Sequence, residues 1–194
     1  MELSERLGKI KNIITNSNFL NKTGNANEVS YFIFDYPPDK DIIVEDYIQR
    51  LATEINGMEK DMQIKIFDIY GLIMDYLKDK KYIDKCILLE QKKGSAGLIK
   101  AIKDTLHLDS DGDDNYIVNH IDENTIQDKD IVFLVGVGRA FPIVRVRELL
   151  SVLNNLYTKC PIVLMLPGSY DGQHVTAFNK LKMENYYRAF KLVQ

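Results

Sequence analysis

Two continuous apolar runs constrain the fold of this chain more than any other feature. Residues 131–135 read IVFLV and residues 162–166 read IVLML, with no polar side chain in either run. A strand with one solvent-facing side alternates apolar and polar residues, whereas an unbroken run is typical of a parallel strand buried on both faces. Between the runs, apolar residues recur at helical spacing, at Val146, Leu149, Leu150, Leu153 and Leu156. This pattern predicts a strand–helix–strand unit.

Further segments extend the alternation along the chain. Residues 31–34, 64–67 and 188–193 have the apolar character of short strands, and the last is expected at an edge of the sheet. Residues 71–127 read as a series of helical stripes, which we interpret as a helical insertion or lid. The sequence therefore predicts a three-layer α/β fold with a mostly parallel central sheet flanked by helices. One domain spanning residues 1–194 is expected.

Prolines, glycines and asparagines suggest where elements end. Residues 16–27 are rich in Asn, Gly and Thr and predict a loop. Pro167 and Gly168 are expected to stop the strand at 162–166, because proline cannot donate to a central sheet ladder. Pro142 is expected in the first turn of the helix that follows it.

Composition and charge exclude several classes of protein. The 194 residues carry a formal net charge of −3, and 45% of them are hydrophobic. Such a chain is not a disordered acidic tail, and it lacks the basic surplus of a non-specific nucleic-acid binder. Cys86 and Cys160 lie far apart with no CxxC spacing, which favours reduced thiols. With a charged N-terminus and no apolar stretch near 20 residues, we expect a cytoplasmic protein without membrane contact.

No pattern of metal-ligating or nucleophilic residues stands out. His107, His120 and His174 show no paired spacing, and the acidic residues of 109–115 do not fit the frame of a calcium loop. A GxSxG nucleophile elbow is absent from the sequence. We therefore expect no metal, no cofactor and no catalytic residue.

A glycine-containing turn follows the first apolar run. Gly136, Gly138 and Arg139 lie where a strand gives way to a helix, and Arg145 lies in the first part of that helix. Free backbone N–H groups at such a junction attract anions, so these four residues form a candidate anion-binding site. The third glycine of a dinucleotide fingerprint and the lysine of a P-loop are both missing. The alternative is a turn that only lets the chain leave a crowded sheet.

Arginines cluster after the same run. Arg139, Arg145 and Arg147 fall within nine residues, which indicates an anion site, a partner-facing patch, or pairing with Glu148 or Asp171. Direct DNA binding through these arginines is a weaker alternative. Asp35, Arg139 and Asp171 each follow a predicted strand, so in a parallel sheet they could share one rim, for a structural purpose or for a ligand.

Four segments together resemble one protein family. Residues 31–38 read YFIFDYPP, 132–142 read VFLVGVGRAFP, 167–173 read PGSYDGQ and 185–190 read NYYRAF. They are similar in order and spacing to the FxxYDYPP, VFLTGVGxxYP, PGxYDGQ and NYYRAF motifs of BrxB-type proteins from bacterial BREX phage-defence systems. The helical middle, residues 71–127, resembles this family only in its general helical character.

The resemblance implies a non-catalytic adaptor in a multi-protein assembly. Proteins of this type are thought to bind PglZ, an alkaline-phosphatase-like protein, within a system that also contains a methyltransferase and a large ATPase. Any contact with DNA is then expected to be indirect. Within the motifs, the candidate partner contacts are Arg139, Tyr170, Asp171, Tyr187 and Arg188, because Tyr and Arg are enriched in interface hot spots.

A second function of a different class stays open at this point. The turn of Gly136, Gly138 and Arg139 is also compatible with a nucleotide- or phosphate-ligand-binding protein that has a degenerate NTPase-like site. Such a protein would be stabilised by ATP, GTP or NAD.

Overall fold

The computed structural model describes residues 2–20, 31–58, 61–110, 114–157, 159–178, 181–183 and 189–194. The helices in these ranges are α1 (Leu3–Ile14), α2 (Ser17–Leu20), α3 (Asp41–Met58), α4 (Ile69–Asp79), α5 (Ile83–Leu106), α6 (Tyr116–Glu123), α7 (Val137–Ala140) and α8 (Val146–Leu156). The strands are β1 (Tyr31–Tyr36), β2 (Gln63–Asp68), β3 (Asp130–Val135), β4 (Ile162–Tyr170), β5 (Val175–Ala177), β6 (Leu181–Met183) and β7 (Ala189–Lys191). A 3-10 turn (Pro38–Lys40) precedes α3.

The central sheet is parallel, with the strand order β2-β3-β4-β1-β7. The short strands β5 and β6 add an antiparallel extension to the end of β4. The connection from β1 to β2 crosses the sheet in one direction, and the connections from β2 to β3 and from β3 to β4 cross in the other. Right-handed crossovers then require helices on opposite faces of the sheet.

Two hydrophobic cores lie on the two faces of the sheet. One core joins α1 and α3 to side chains such as Phe34 and Phe133, and the other joins α4, α6 and α8 to side chains such as Ile33 and Leu134. All six residues of β3 are buried, which explains its unbroken apolar run. The three-layer α/β fold predicted from the sequence is therefore confirmed.

The predicted helical middle is also confirmed. It contains most of α4, then α5 and α6, and its buried residues Ile73, Ile102 and Ile117 pack into the core on one face of the sheet. Helix α5 is kinked at Gly94, where φ is +69° and ψ is 176°. This is a backbone conformation that glycine adopts without steric cost. No helix in the described part of the chain is long and apolar enough to cross a membrane.

The expected end of the strand at Pro167 was wrong. Strand β4 continues through Pro167 and Gly168 to Tyr170. Pairing of β4 with β3 ends at Leu164, so Pro167 interrupts no ladder on that side, and its carbonyl accepts from the Phe178 N–H at 3.0 Å. A proline is tolerated where its missing N–H is not needed.

Two other boundary predictions also need correction. Pro142 lies in the turn between α7 and α8 and not in the first turn of a helix, because the short α7 intervenes and α8 begins only at Val146. The predicted loop at 16–27 contains the single turn α2, whose Phe19 is buried and stacks on Phe32 with ring centroids 4.8 Å apart. Residues 21–27 of that loop lie outside the described ranges.

Candidate functional site

The carboxyl ends of the parallel strands carry an ion-pair cluster centred on Arg139. Arg139 lies on α7, directly after β3, and its Nη1 donates to Glu45 Oε2 at 2.8 Å. Its Nη2 donates to Asp68 Oδ2 at 3.0 Å, and Asp41 Oδ2 lies 3.8 Å from Nη1. Asp41 and Glu45 belong to α3 on one face of the sheet, whereas α7 packs with α4 on the other. The cluster therefore joins the two helical layers across the edge of the sheet.

The glycines of the turn are explained by packing within the protein. Gly136 has a φ of +70°, and a Cβ at this position would overlap Asp68 Oδ1. A Cβ on Gly138 would lie 2.7 Å from Pro167 and 3.3 Å from Phe178. These close approaches supply a structural reason for both glycines, which is the alternative that the sequence left open.

The charge of the cluster does not favour a bound anion. Three carboxylates surround one guanidinium, and the hydrogen bond to Glu45 together with the charge of Asp68 raises the pKa of Arg139. A phosphate at this turn would have to displace carboxylates that already accept from Arg139. Helix α7 has only four residues, so its N-terminus adds little dipole to compensate.

Arg145, the fourth residue of the predicted anion site, has a different partner. It precedes the first residue of α8, its side chain is largely exposed, and its Nη1 lies 3.7 Å from Glu148 Oε1. This is one of the two pairings that the sequence offered as a structural explanation of the arginines. Arg147, on the same helix, is exposed.

One further polar side chain, that of Tyr36, supports the cluster, and one oxygen of the cluster has no partner. The Tyr36 hydroxyl donates to Asp41 Oδ1 at 2.6 Å, and burial followed by this hydrogen bond raises the pKa of Tyr36. Glu45 Oε1 is buried and has no hydrogen-bond partner among the described residues. Since a buried carboxylate oxygen without a partner is costly, the cluster holds one acceptor that a further donor could satisfy.

Exposed apolar side chains lie within two residues, in the sequence, of three members of the cluster. Ile42, 81% exposed, follows Asp41; Tyr70 follows two residues after Asp68; and Phe141 follows two residues after Arg139. We call this set, Ile42, Glu45, Tyr70, Arg139 and Phe141, the carboxyl-edge surface. An arginine and two aromatic residues at one place are typical of interface hot spots.

Comparison with known proteins identifies the family. The family model described as "BREX protein BrxB" matches residues 65–192 of this chain. A protein of Bacillus cereus (strain H3081.97), named BREX protein BrxB, is 37% identical over 98% of this chain and 97% of its own length. A protein of the same name from Escherichia coli O9:H4 (strain HS) is 30% identical over 98% of this chain and 92% of its own length.

The chain belongs to the BrxB family. The resemblance stated from four motifs is thereby confirmed. The matched stretch of the BrxB model includes Asp68 and Arg139, and the pairwise matches also span Asp41 and Glu45. No solved structure matches this chain.

Among the BrxB motif residues, Asp35 has a structural position. It is buried near the end of β1, where its Oδ1 accepts from Arg6. Its Oδ2 accepts from the Tyr170 N–H at 3.1 Å and from Lys191 Nζ at 3.3 Å. These contacts tie α1, β1, β4 and β7 together.

The predicted rim of Asp35, Arg139 and Asp171 is therefore not one site. All three follow or end parallel strands at the same edge, as expected, but their side chains have separate partners. Asp171 is exposed, accepts from the backbone N–H groups of Gln173 and His174, and pairs with the His174 ring at 3.2 Å. The two backbone hydrogen bonds lower the pKa of Asp171.

The prediction of Tyr170 as a partner contact does not fit its position. Its side chain is 1% exposed, and its hydroxyl donates to the Ala189 carbonyl at 2.7 Å. The Tyr170 side chain therefore links β4 to β7 by a hydrogen bond inside the protein. Tyr187 and Arg188, two further predicted contacts, lie outside the described residues, and Arg139 and Asp171 remain as exposed candidates.

The partners of Arg139 are what the sequence interpretation missed. Asp68 ends β2 just as Asp35 approaches the end of β1, so the rule that placed Asp35 at the rim would also have placed Asp68 there. Asp41 and Glu45 are one helical turn apart at the start of α3. In the described ranges, no group of three or more His, Cys, Asp or Glu side chains is arranged to hold a metal ion.

Proposed function

We propose that this BrxB-family chain is a non-catalytic adaptor that binds the PglZ-type protein of a BREX phage-defence system. Family membership makes the chain a component of such a system. In this role it supports host DNA methylation and phage restriction by holding other components together. The methyltransferase and the large ATPase join directly or through the PglZ-type protein, and contact with DNA is indirect.

The carboxyl-edge surface is the observation that supports this proposal most. In open α/β sheets, ligands bind beyond the carboxyl ends of the strands. Here that position is occupied by ion pairs within the chain, and Ile42, Tyr70 and Phe141, which lie within two residues of cluster members in the sequence, are exposed. Exposed apolar side chains beside charges that pair within the chain suit a protein partner, because binding removes the apolar surface from water without breaking those ion pairs.

Nucleotide binding, the second candidate, has less support. The guanidinium of Arg139 already donates to two carboxylates. The cavity at the turn, lined by Gly138, Phe141 and Pro167, holds only about 10 Å³ and is mostly apolar. An open groove of about 510 Å³ lies at Arg145, but its other charged residues include Asp104 and Asp109 as well as two lysines. A nucleotide needs several hundred Å³ and polar partners. We therefore expect ATP, GTP and NAD at millimolar concentration to leave the melting temperature unchanged.

Co-expression tests the adaptor function directly. The chain is produced together with the PglZ-type protein of its system and analysed by size-exclusion chromatography with light scattering. A single peak whose mass equals the sum of whole-number copies of both proteins supports the proposal. Separate elution at micromolar concentration, with both proteins folded by circular dichroism, contradicts it.

A further inference from the structure

No side chain in the first half of α5 is fully buried, although Ile83 and Cys86 pack partly against the core. We call residues 83–93, which precede the kink at Gly94, the α5 arm. Five of its first seven residues are apolar, yet within α5 only Ile102 and Leu106, in the second half, are buried. Ile87 is 52% exposed and Leu88 is 55% exposed. The arm is thus a helix with a large apolar surface turned to solvent.

This exposure is unusual for a surface helix. Helices in proteins owe most of their stability to an apolar face packed on a core, and the opposite face is polar. Neighbouring residues on a helix point about 100° apart. Ile83 and Cys86 pack partly against the core, and Ile87 and Leu88 extend the apolar surface beyond that contact into solvent. Contiguous exposed apolar surface of this kind marks interaction sites.

Lysines precede and follow the apolar patch in the sequence. Residues 78–93 contain six lysines, no arginine and three acidic residues, so this segment carries a net charge of +3 in a chain whose total is −3. Lys85 Nζ lies 4.7 Å from the Tyr82 ring centroid. Among the described residues, Lys92 and Lys93 form no ion pair. The arm therefore offers free positive charge beside its apolar patch.

The arm is separate from the carboxyl-edge surface. Helix α4 begins at the carboxyl edge, next to Asp68, and has 11 residues. At about 1.5 Å per residue, its far end lies roughly 16 Å from that edge. The arm starts four residues beyond that end, so a partner on the arm contacts a different part of the chain.

We infer that the α5 arm is a second docking surface, for a protein whose contact face has an apolar centre and a rim of Asp and Glu. Such a face would bury Ile87 and Leu88 and pair with Lys85, Lys92 and Lys93. Nucleic acid fits less well, because phosphates gain nothing from the apolar patch and the segment lacks the arginines that bind them bidentately. The inference rests on the proposed adaptor function, since the partner is then another component of the same assembly.

Reconstitution with the PglZ-type protein and the other BREX proteins of the system tests this inference. The first double variant combines Ile87→Ser and Leu88→Ser, and the second combines Lys92→Glu and Lys93→Glu. The matched control is Ile126→Ser, which alters another exposed isoleucine, 56% exposed. We expect both double variants to reduce retention of one BREX protein at least tenfold, and the control to reduce none. Amide hydrogen exchange across 83–93 slows in the assembly, and carbodiimide crosslinks join the arm lysines to partner carboxylates.

The possible failures are distinguishable. If the assembly forms but the arm exchanges freely and its variants are retained normally, the inference is wrong while the adaptor function stands. If no BREX protein is retained by the unaltered chain, both are wrong. Binding of a duplex DNA or RNA oligonucleotide that is lost in the lysine double variant, or a dimer of the chain alone that is lost in the Ile87 and Leu88 double variant, would overturn the assignment of the partner.

Discussion

At the scale of single residues, Gly136 shows how closely the chain is packed where β3 ends. Its backbone is left-handed, and the space that a side chain would need is taken by the Asp68 carboxylate, which also caps α4 by accepting from the Gly71 N–H at 3.1 Å. A side chain here would disturb the conformation of the turn, the cap of α4 and the ion pair of Arg139 together.

Gly136→Ala is therefore expected to lower the free energy of unfolding by about 1–3 kcal/mol, the range for strained backbone positions. Gly8→Ala is the control, because Gly8 lies inside α1 with open space around it. That change should raise stability by about 0.5–1 kcal/mol through helix propensity. Urea denaturation of both variants measures the difference, and equal effects of the two would contradict this role of Gly136.

Asp35 is the second residue with a testable structural role. Asp35→Asn keeps the shape of the side chain but leaves Arg6 and Lys191 without a carboxylate between them. Removing one member of a buried ion pair costs about 3 kcal/mol or more. Glu54→Gln removes the partner of Lys11 in an exposed pair and should cost less than about 1 kcal/mol. A thermal unfolding series that ranks the two variants the other way would refute the assignment.

The sequence predicted where single residues lie in the sheet, but not which side chains they contact. Arg139 and Asp35 lie at the sheet edge as predicted, because the carboxyl ends of parallel strands must meet there. Arg139 nevertheless bonds to Glu45, 94 positions away, and no local pattern specifies that pairing. Tyr170 was misassigned for a related reason: a motif shows that a tyrosine is present but not whether its side chain points inward.

At the scale of elements, buried tyrosines connect strands to helices. Tyr36 joins β1 to α3 through Asp41, and the Tyr31 hydroxyl donates to the carbonyl of Tyr157 just after α8, at 3.0 Å. Burial raises the pKa of Tyr31, Tyr36 and Tyr157. Each of these phenols therefore holds its proton more tightly in the folded chain than in the unfolded one.

Stability is accordingly expected to fall at alkaline pH. A group whose pKa is raised on folding contributes fully below its unfolded pKa, about 10 for tyrosine, and this contribution is lost as the pH rises beyond that value. Burial also raises the pKa of the Cys160 thiol, so urea midpoints should begin to decline near pH 9 and decline more steeply above about pH 10. Tyr36→Phe, which removes one such phenol, should show a shallower decline; an identical slope would contradict the argument.

The sequence predicted a strand correctly where both of its faces are buried. It did not predict where a strand ends when pairing with a distant segment decides that. Strand β3 follows directly from its unbroken apolar run. The continuation of β4 beyond Pro167 depends on pairing with β5, which the sequence around the proline does not reveal. The exposure of the first half of α5 could be seen only in the folded chain.

At the scale of the whole molecule, charge is unevenly distributed between two surfaces. Arg139 of the carboxyl-edge surface is surrounded by the carboxylates of Glu45, Asp41 and Asp68. The α5 arm lies in a segment with a net charge of +3. An adaptor needs two separate contacts to hold two components, and surfaces of opposite charge direct different partners to each. This division is consistent with a chain whose family belongs to a multi-protein system.

Whether the carboxyl-edge surface binds the PglZ-type protein of the same system can be measured as an affinity. Biolayer interferometry should compare the unaltered chain, the double variant Ile42→Ser with Tyr70→Ser, and Ile126→Ser, whose side chain lies near the opposite end of β3. We expect a Kd at least tenfold weaker for the double variant, equivalent to about 1.4 kcal/mol, and an unchanged Kd for Ile126→Ser. A double variant that binds within twofold of the unaltered chain, or an unaltered chain that does not bind, would contradict the account.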